Sequence, residues 1–177
     1  MRKIITAICS ICGLTAYAQQ DITLCGEWQF MLPDGQMKTT VTVPHTYNIM
    51  EGLEDYVGEA VYSRELPVAA DMKGKTVRIC FTGVYPDATV SVNGQPVGEH
   101  LGKGYTPFSF DITRQLRFDG SRNTVEVRCS NAYTEQSLPY MRSFDWSSDG
   151  GIYRPVRLHE PQPAERPVAH PRPADVE

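Results

Sequence analysis

The chain has 177 residues, of which 41% are hydrophobic and 21% charged, a composition typical of ordinary globular proteins. This length allows one domain with a core that needs neither disulfides nor metal, and it is short of the roughly 200 to 400 residues of a (β/α)₈ catalytic barrel. The net charge of −4, without any cluster of Lys and Arg, argues against nucleic acid as a partner.

The N-terminus has the three parts of a secretory signal peptide. Arg2 and Lys3 form a basic start, residues 4–14 form an apolar run, and Ala16 and Ala18 complete an A-x-A cleavage pattern. We therefore expect residues 1–18 to be cleaved after Ala18 and the protein to be secreted or periplasmic. A buried N-terminal helix is the alternative, and the run is too short for a membrane-spanning helix, which needs about 20 apolar residues.

From residue 19 onward, apolar and polar residues alternate almost everywhere, which is the period of a β-strand. Turn signals separate most of the runs and predict an all-β, antiparallel β-sandwich over residues 19–160. Asn93-Gly94 predicts a type I′ hairpin turn, and only residues 112–118 suggest a helical turn. The predicted strands are 27–31, 39–43, 60–66, 76–82, 88–92, 96–100, 108–112, 124–129 and 153–158.

Three cysteines follow the signal peptide: Cys25, Cys80 and Cys129. Their odd number and the absence of a C-x-x-C spacing predict neither a disulfide framework nor a zinc site. The strand pattern places Cys80 and Cys129 as small apolar residues, which favours buried free thiols, with one disulfide as the alternative. No metal site and no cofactor are predicted.

The loop 131–151 holds the richest set of candidate functional residues. About 20 residues without periodicity are uncommon in a compact domain unless they bind a ligand or pack as an Ω-loop. Aromatic rings beside carboxylates suit sugars, although Trp146 packed on the sandwich explains the pattern equally well. Asp145 and Asp149 are a weak candidate for a glycosidase carboxylate pair, because their spacing in a loop does not predict the distance between them.

Residues 161–177 contain five prolines and almost no bulky apolar side chains. Proline removes backbone donors and fixes φ, so this stretch cannot join a sheet interior and has little to bury. We expect a proline-rich tail or the start of a linker.

Ordered sequence blocks extend from Gly26 to Leu158, namely 26–30, 43–48, 56–62, 81–84, 90–94, 97–98, 104–112, 145–146 and 150–156. Together they resemble the N-terminal domain of family 2 glycoside hydrolases, the β-galactosidases, β-glucuronidases and their relatives. The resemblance implies a jelly-roll, galactose-binding-like sandwich. Pro155 departs from the family pattern, which usually has an aspartate there, and the proline-rich end departs from it too.

In that family the sandwich precedes an immunoglobulin-like domain and a catalytic barrel, and both catalytic glutamates lie in the barrel. The resemblance therefore implies a non-catalytic carbohydrate-binding domain that supplies an edge of the active-site pocket, with hydrolysis depending on a missing catalytic domain. An autonomous carbohydrate-binding module and an assembly domain without sugar contact are the alternatives.

Three residues carry the predicted sugar contacts. Asn48 matches an asparagine near the bound sugar, and Asp145 matches an aspartate that accepts a hydrogen bond from a galactose hydroxyl. In some family members that aspartate also helps to hold a monovalent cation. Trp146 lies in the same block as Asp145 and is the third predicted substrate contact.

Overall fold

The computed structural model describes residues 21–35, 37–135, 141 and 147–159. Within them the chain forms ten β-strands and two short 3₁₀ helices. The strands are β1 (Asp21–Thr23), β2 (Gly26–Met31), β3 (Lys38–Val43), β4 (Glu59–Leu66), β5 (Arg78–Phe81), β6 (Asp87–Val92), β7 (Gln95–His100), β8 (Phe108–Asp111), β9 (Asn123–Ser130) and β10 (Val156–His159). The 3₁₀ helices are Tyr47–Ile49 and Ala70–Met72.

The strands form two antiparallel sheets. One has four strands in the order β1-β10-β5-β8, and the other has six in the order β3-β2-β4-β9-β6-β7. Neighbours in both sheets are often far apart in the sequence, as when β4 pairs with β9 along its whole length. The fold is the all-β, jelly-roll sandwich that the sequence predicts.

The core lies between the two sheets and follows from the alternation of side chains along each strand. In β9, Val125, Val127 and Cys129 point inward and are fully buried, while the residues between them are at least partly exposed. In β2, Trp28 and Phe30 take the same role, and the Trp28 indole N–H donates to the Leu24 carbonyl at 2.7 Å. Burying each such side chain stabilises the fold by about 1.5–3 kcal/mol.

All nine predicted strands are present, and β1 is an additional strand that the sequence pattern did not predict. The largest boundary differences are in the predicted strand 76–82, which is observed as Arg78–Phe81, and in 153–158, which is observed as Val156–His159. The suggested helical turn at 112–118 is observed as a single turn at residues 113–115, and no helix forms there. The chain there forms a hydrogen-bonded turn in which the Gln115 N–H donates to the Ile112 carbonyl at 3.0 Å.

All three cysteines after residue 20 are free thiols, but only Cys129 is buried. The prediction that Cys80 is buried is wrong, because Ile79 and Phe81 occupy the inward positions of β5 and Cys80 faces the other way. Burial raises the pKa of the Cys129 thiol, which is therefore protonated at neutral pH.

The predicted signal peptide and the proline-rich tail lie outside the described residues. Among the residues that the structure does describe, no helix has the length and apolar character needed to cross a membrane.

Candidate functional site

Several loops meet at the end of the sandwich where β9 finishes at Ser130, and we call this the loop end. Residues 45–47 run beside residues 150–152 there: the Tyr47 N–H donates to the Gly150 carbonyl at 2.9 Å, and the His45 N–H donates to the Ile152 carbonyl at 2.8 Å. On the other side of Gly151, its backbone and that of Tyr85 exchange two hydrogen bonds of 3.0 and 3.1 Å. Segments from distant parts of the sequence are thus joined at one place.

A small cavity of about 180 Å³ opens at the loop end. Its described lining is Thr46, Tyr85, Tyr105, Ser147, Asp149 and Tyr153. The rings of Tyr85 and Tyr105 lie with their centroids 5.2 Å apart, and the Tyr153 hydroxyl donates to the Gly104 carbonyl at 2.8 Å. The Ser147 hydroxyl donates to the Asp149 carboxylate.

This lining combines three aromatic rings with one carboxylate and two small hydroxyls. The rings offer apolar faces beside polar tips, and a carboxylate accepts stronger hydrogen bonds from hydroxyl groups than a neutral acceptor does. The volume is below the roughly 300–1,000 Å³ of pockets for drug-sized ligands, so the cavity suits a single small ring. Its chemistry matches a polyhydroxylated ring with one apolar face.

The amide of Asn48 is hydrogen-bonded by the protein at both its nitrogen and its oxygen. Its Nδ2 donates to the carbonyls of Leu53 and Tyr56, both at 2.9 Å, and its Oδ1 accepts from the Gly150 N–H at 3.0 Å and from Nδ2 of Asn131 at 3.2 Å. Asn48 is 9% exposed. Its sugar contact stays a prediction, and what the structure shows is an amide satisfied by the protein itself.

Asn131 is the partner that sequence reasoning missed. Its Oδ1 accepts from the Gly58 N–H at 2.8 Å, and its Nδ2 also donates to the carbonyls of Ser148 at 2.8 Å and Tyr56 at 2.9 Å. Asn131 is 1% exposed and lies 83 residues from Asn48 in the sequence. Its place at the start of the loop 131–151 is the only local signal that pointed to it.

Residues 45–47 pack against an aromatic cluster in which Phe30 and Tyr62 contact the His45 ring. The Tyr62 hydroxyl lies 2.9 Å from Nδ1 of His45, and Phe30 packs edge-on against both rings. Burial lowers the pKa of His45 and raises the pKa values of Tyr47 and Tyr62. All three are neutral at neutral pH. None of them lines the cavity, in whose described lining Asp149 is the only carboxyl residue.

Two of the three predicted sugar contacts, Asp145 and Trp146, lie outside the described residues and stay predictions. Ser147, the next residue in the sequence, lines the cavity. Asp149, considered above only as a weak catalytic candidate, lines it too. Among the described side chains, no group of three or more His, Cys, Asp or Glu residues could hold a metal ion.

A larger cavity, of about 550 Å³, lies at the opposite end of β9 and is lined by residues 65–70 and 117–123 except Asp119. Phe118 is the single aromatic residue in its described lining, and the only carboxylate there, Glu65, pairs with Arg122 at 3.7 Å. Both partners are more than half exposed, so this pair contributes little. The cavity at the loop end combines three aromatic rings with a carboxylate, and the described lining of this second cavity does not.

Comparison with known proteins identifies the family to which the chain is similar. The family described as glycosyl hydrolases family 2, sugar binding domain, matches residues 12–162. A β-glucuronidase of Bacteroides fragilis is 36% identical over 153 residues, which cover 82% of this chain and 21% of that protein. A β-galactosidase of Thermoanaerobacter pseudethanolicus is 41% identical over 117 residues, covering 66% of this chain and 15% of that protein.

The fold is similar to solved structures as well. A β-glucuronidase from Bacteroides uniformis superposes with a TM-score of 0.69 and 32% identity, over 81% of this chain and 18% of that one. The chain therefore spans about a fifth or less of the length of these three relatives.

Proposed function

The chain belongs to the sugar-binding domain family of the family 2 glycosyl hydrolases, and on that basis we propose that it supplies one edge of the glycoside pocket of a secreted enzyme. Its relatives include proteins named β-glucuronidase and β-galactosidase, so the ligand we propose is a β-linked hexose or hexuronic acid. The hydrolytic step is assigned to parts of the enzyme beyond this sandwich.

The observation that carries the proposal is the cavity at the loop end. A pyranose has an apolar C–H face, which suits the rings of Tyr85, Tyr105 and Tyr153, and hydroxyl groups, which suit the Asp149 carboxylate. These contacts bind and orient the ring, and orientation contributes to the rate by holding the scissile bond in reach of the catalytic groups. None of them requires the sandwich to perform chemistry.

Calorimetric titration of the full chain with methyl β-D-galactopyranoside and methyl β-D-glucuronide tests the proposal. We expect millimolar binding of at least one sugar and an affinity at least tenfold weaker in Tyr105→Ala. Leu101→Ala is the matched control, because Leu101 is also an exposed apolar residue near Tyr105 but does not line the cavity. Binding of neither sugar, or equal loss in both variants, would overturn the assignment.

The proposed export rests on the basic, apolar and A-x-A segments of residues 1–18. We expect a bacterial host to release a protein that begins at Gln19, and N-terminal sequencing of the periplasmic fraction would show it. Ala18→Arg should block cleavage, because the signal peptidase requires a small residue at that position. An uncut protein that stays in the cytoplasm in both forms would contradict the proposal.

A further inference from the structure

Asp149 is the one carboxylate in the described lining of the cavity, and both of its neighbours in the chain are held by asparagine side chains. The Ser148 carbonyl accepts from Nδ2 of Asn131 at 2.8 Å, and the Gly150 N–H donates to Oδ1 of Asn48 at 3.0 Å. We propose that Asn48 and Asn131 are positioning residues, and that this asparagine clamp fixes the Asp149 carboxylate at the edge of the cavity.

The clamp joins segments that are remote in the sequence. Asn48 lies 102 residues from Gly150 in the sequence. Asn131 lies 73 residues from Gly58, whose N–H donates to Oδ1 of Asn131 at 2.8 Å. Asn48 and Asn131 also bond to each other at 3.2 Å, and both donate to the Tyr56 carbonyl at 2.9 Å. One connected set of bonds therefore ties residues 48–58 to residues 148–150.

Burial makes this arrangement specific. At 9% and 1% exposure, the two amides have little access to water, and leaving one buried donor or acceptor without a partner costs about 1–3 kcal/mol. A fully satisfied buried network favours one arrangement of the backbone over its alternatives. A shift of residues 148–150 would break bonds at both asparagines together, so the backbone around Asp149 moves only if the whole clamp opens.

The clamp also separates two roles at the loop end. A sugar hydroxyl could reach either asparagine only by displacing a hydrogen bond within the protein, whereas the Asp149 side chain lines the cavity. The identity of what Asp149 binds rests on the proposed function above. The fixing of residues 148–150 rests on the hydrogen bonds alone.

Amide hydrogen exchange in the full chain tests the clamp at Gly150, whose N–H bonds to Asn48 and not to Asn131. In Asn131→Ala we expect this amide to exchange at least tenfold faster, relative to the Val127 amide within β9. Asn123→Ala is the matched control: Asn123 is 3% exposed at the opposite end of β9, where its side chain accepts from the Arg117 N–H at 2.8 Å and donates to the Arg117 carbonyl at 2.9 Å. It removes a comparable buried amide without touching the clamp.

Asn131→Asp provides a second variant, which retains the side-chain shape and the acceptor for Gly58 but has no donor for the Ser148 carbonyl. If Gly150 exchange rises equally in the control, or rises in none of the variants, the clamp is wrong.

A titration with methyl β-D-galactopyranoside and methyl β-D-glucuronide then separates the two proposals. We expect at least tenfold weaker binding in Asn131→Ala and Asp149→Ala but not in Asn123→Ala. Absence of sugar binding by the unmodified chain would overturn the proposed function and leave the exchange result to decide the clamp.

Discussion

Residues 150 and 151 show how little freedom single positions have at the loop end. A Cβ atom on Gly150 would collide with the ring and hydroxyl of Tyr47, which is itself fully buried. Gly151 adopts a φ of +142°, and a Cβ there would lie 2.5 Å from the His45 carbonyl oxygen. Backbone and ring approach so closely because both glycines lack a side chain. The two glycines let the end of the loop 131–151 run directly beside residues 45–47.

The collision at Gly150 predicts a strong coupling to Tyr47. We expect Gly150→Ala to lower the free energy of unfolding by about 1–3 kcal/mol, as inserting a methyl group into a packed core does. In a Tyr47→Leu background, where the ring is gone, the same change should cost under about 1 kcal/mol. Urea denaturation of the four proteins in this cycle measures the difference. An equal cost in both backgrounds would show that the ring is not the obstacle.

His45 predicts how stability changes with pH. Burial lowers its folded-state pKa, so the folded protein resists protonation at His45 while the unfolded chain takes up the proton near pH 6.5. The contribution of the neutral imidazole is therefore complete above about pH 6.5 and is lost as the pH falls towards the folded-state pKa. We expect unfolding free energy to drop more between pH 7.5 and 5.5 in the unmodified protein than in His45→Gln.

The matched control for that experiment is His100→Gln, since His100 lies at the end of β7, away from the aromatic cluster, and bonds to Lys103 and Thr106. It should leave the steeper acid dependence in place. If His45→Gln and the unmodified protein lose stability in parallel as the pH falls, the imidazole is not the titrating group.

At the scale of elements, the β6–β7 hairpin agrees with its sequence signal in detail. Asn93 and Gly94 have φ values of +54° and +75°, as a type I′ turn requires. The Asn93 side chain does more than permit the turn: its Nδ2 donates to the Gln115 carbonyl at 2.7 Å, and its Oδ1 accepts from the Thr124 N–H at 2.9 Å. The hairpin tip is thereby attached to β9 and to the turn after β8.

The geometry of this turn predicts which of three substitutions destabilises the protein most. Gly94→Ala should destabilise the protein by about 1–2 kcal/mol through the left-handed backbone, and Gly94→Asn should cost less, because asparagine tolerates that conformation. Asn93→Ala should cost more than either, since it combines the backbone penalty with lost hydrogen bonds. Thermal melting of the three variants measures the order. A Gly94→Asn variant less stable than Gly94→Ala would contradict it.

The strands were predictable because alternation is a local signal, and each inward residue repeats every second position. The strand β1 was missed because its three residues are too few to show an alternating pattern. Cys80 was wrongly predicted to be buried because the alternation along β5 places Ile79 and Phe81, and not Cys80, on the inward face. The turn at 113–115 has a helix-like local pattern, but one hydrogen bond closes it and no helix follows. The presence of a strand can therefore be predicted from neighbouring residues, whereas the direction in which its side chains face and the residues at which it ends depend on tertiary packing.

At the scale of the whole molecule, the candidate site was only partly predictable. Sequence blocks identified residues 43–48 and 150–156 as belonging to one family pattern, and the structure joins residues 45–47 to residues 150–152. The role of Asn131, and the meeting of Tyr85 with Tyr105 and Tyr153, depend on contacts between remote segments that no local spacing encodes. The strands of the sandwich supply those contacts by holding loops from remote segments at the same end of the molecule.

The two ends of the sandwich give the last prediction, because both have cavities and only the one at the loop end combines three aromatic rings with a carboxylate in its described lining. A ligand that binds the folded but not the unfolded chain stabilises the fold by about 2.7 kcal/mol when its concentration is a hundred times its dissociation constant. For a chain of this size, that stabilisation raises the melting temperature by roughly 5–10 °C. We expect that rise with the sugar that binds, and we expect its protection from amide exchange to fall on residues 46–48, 104–106 and 147–153. Residues 65–70 and 117–123, at the larger cavity, should exchange no more slowly than global stabilisation requires. Protection concentrated at that end instead would move the sugar site to the larger cavity and contradict the assignment to the loop end.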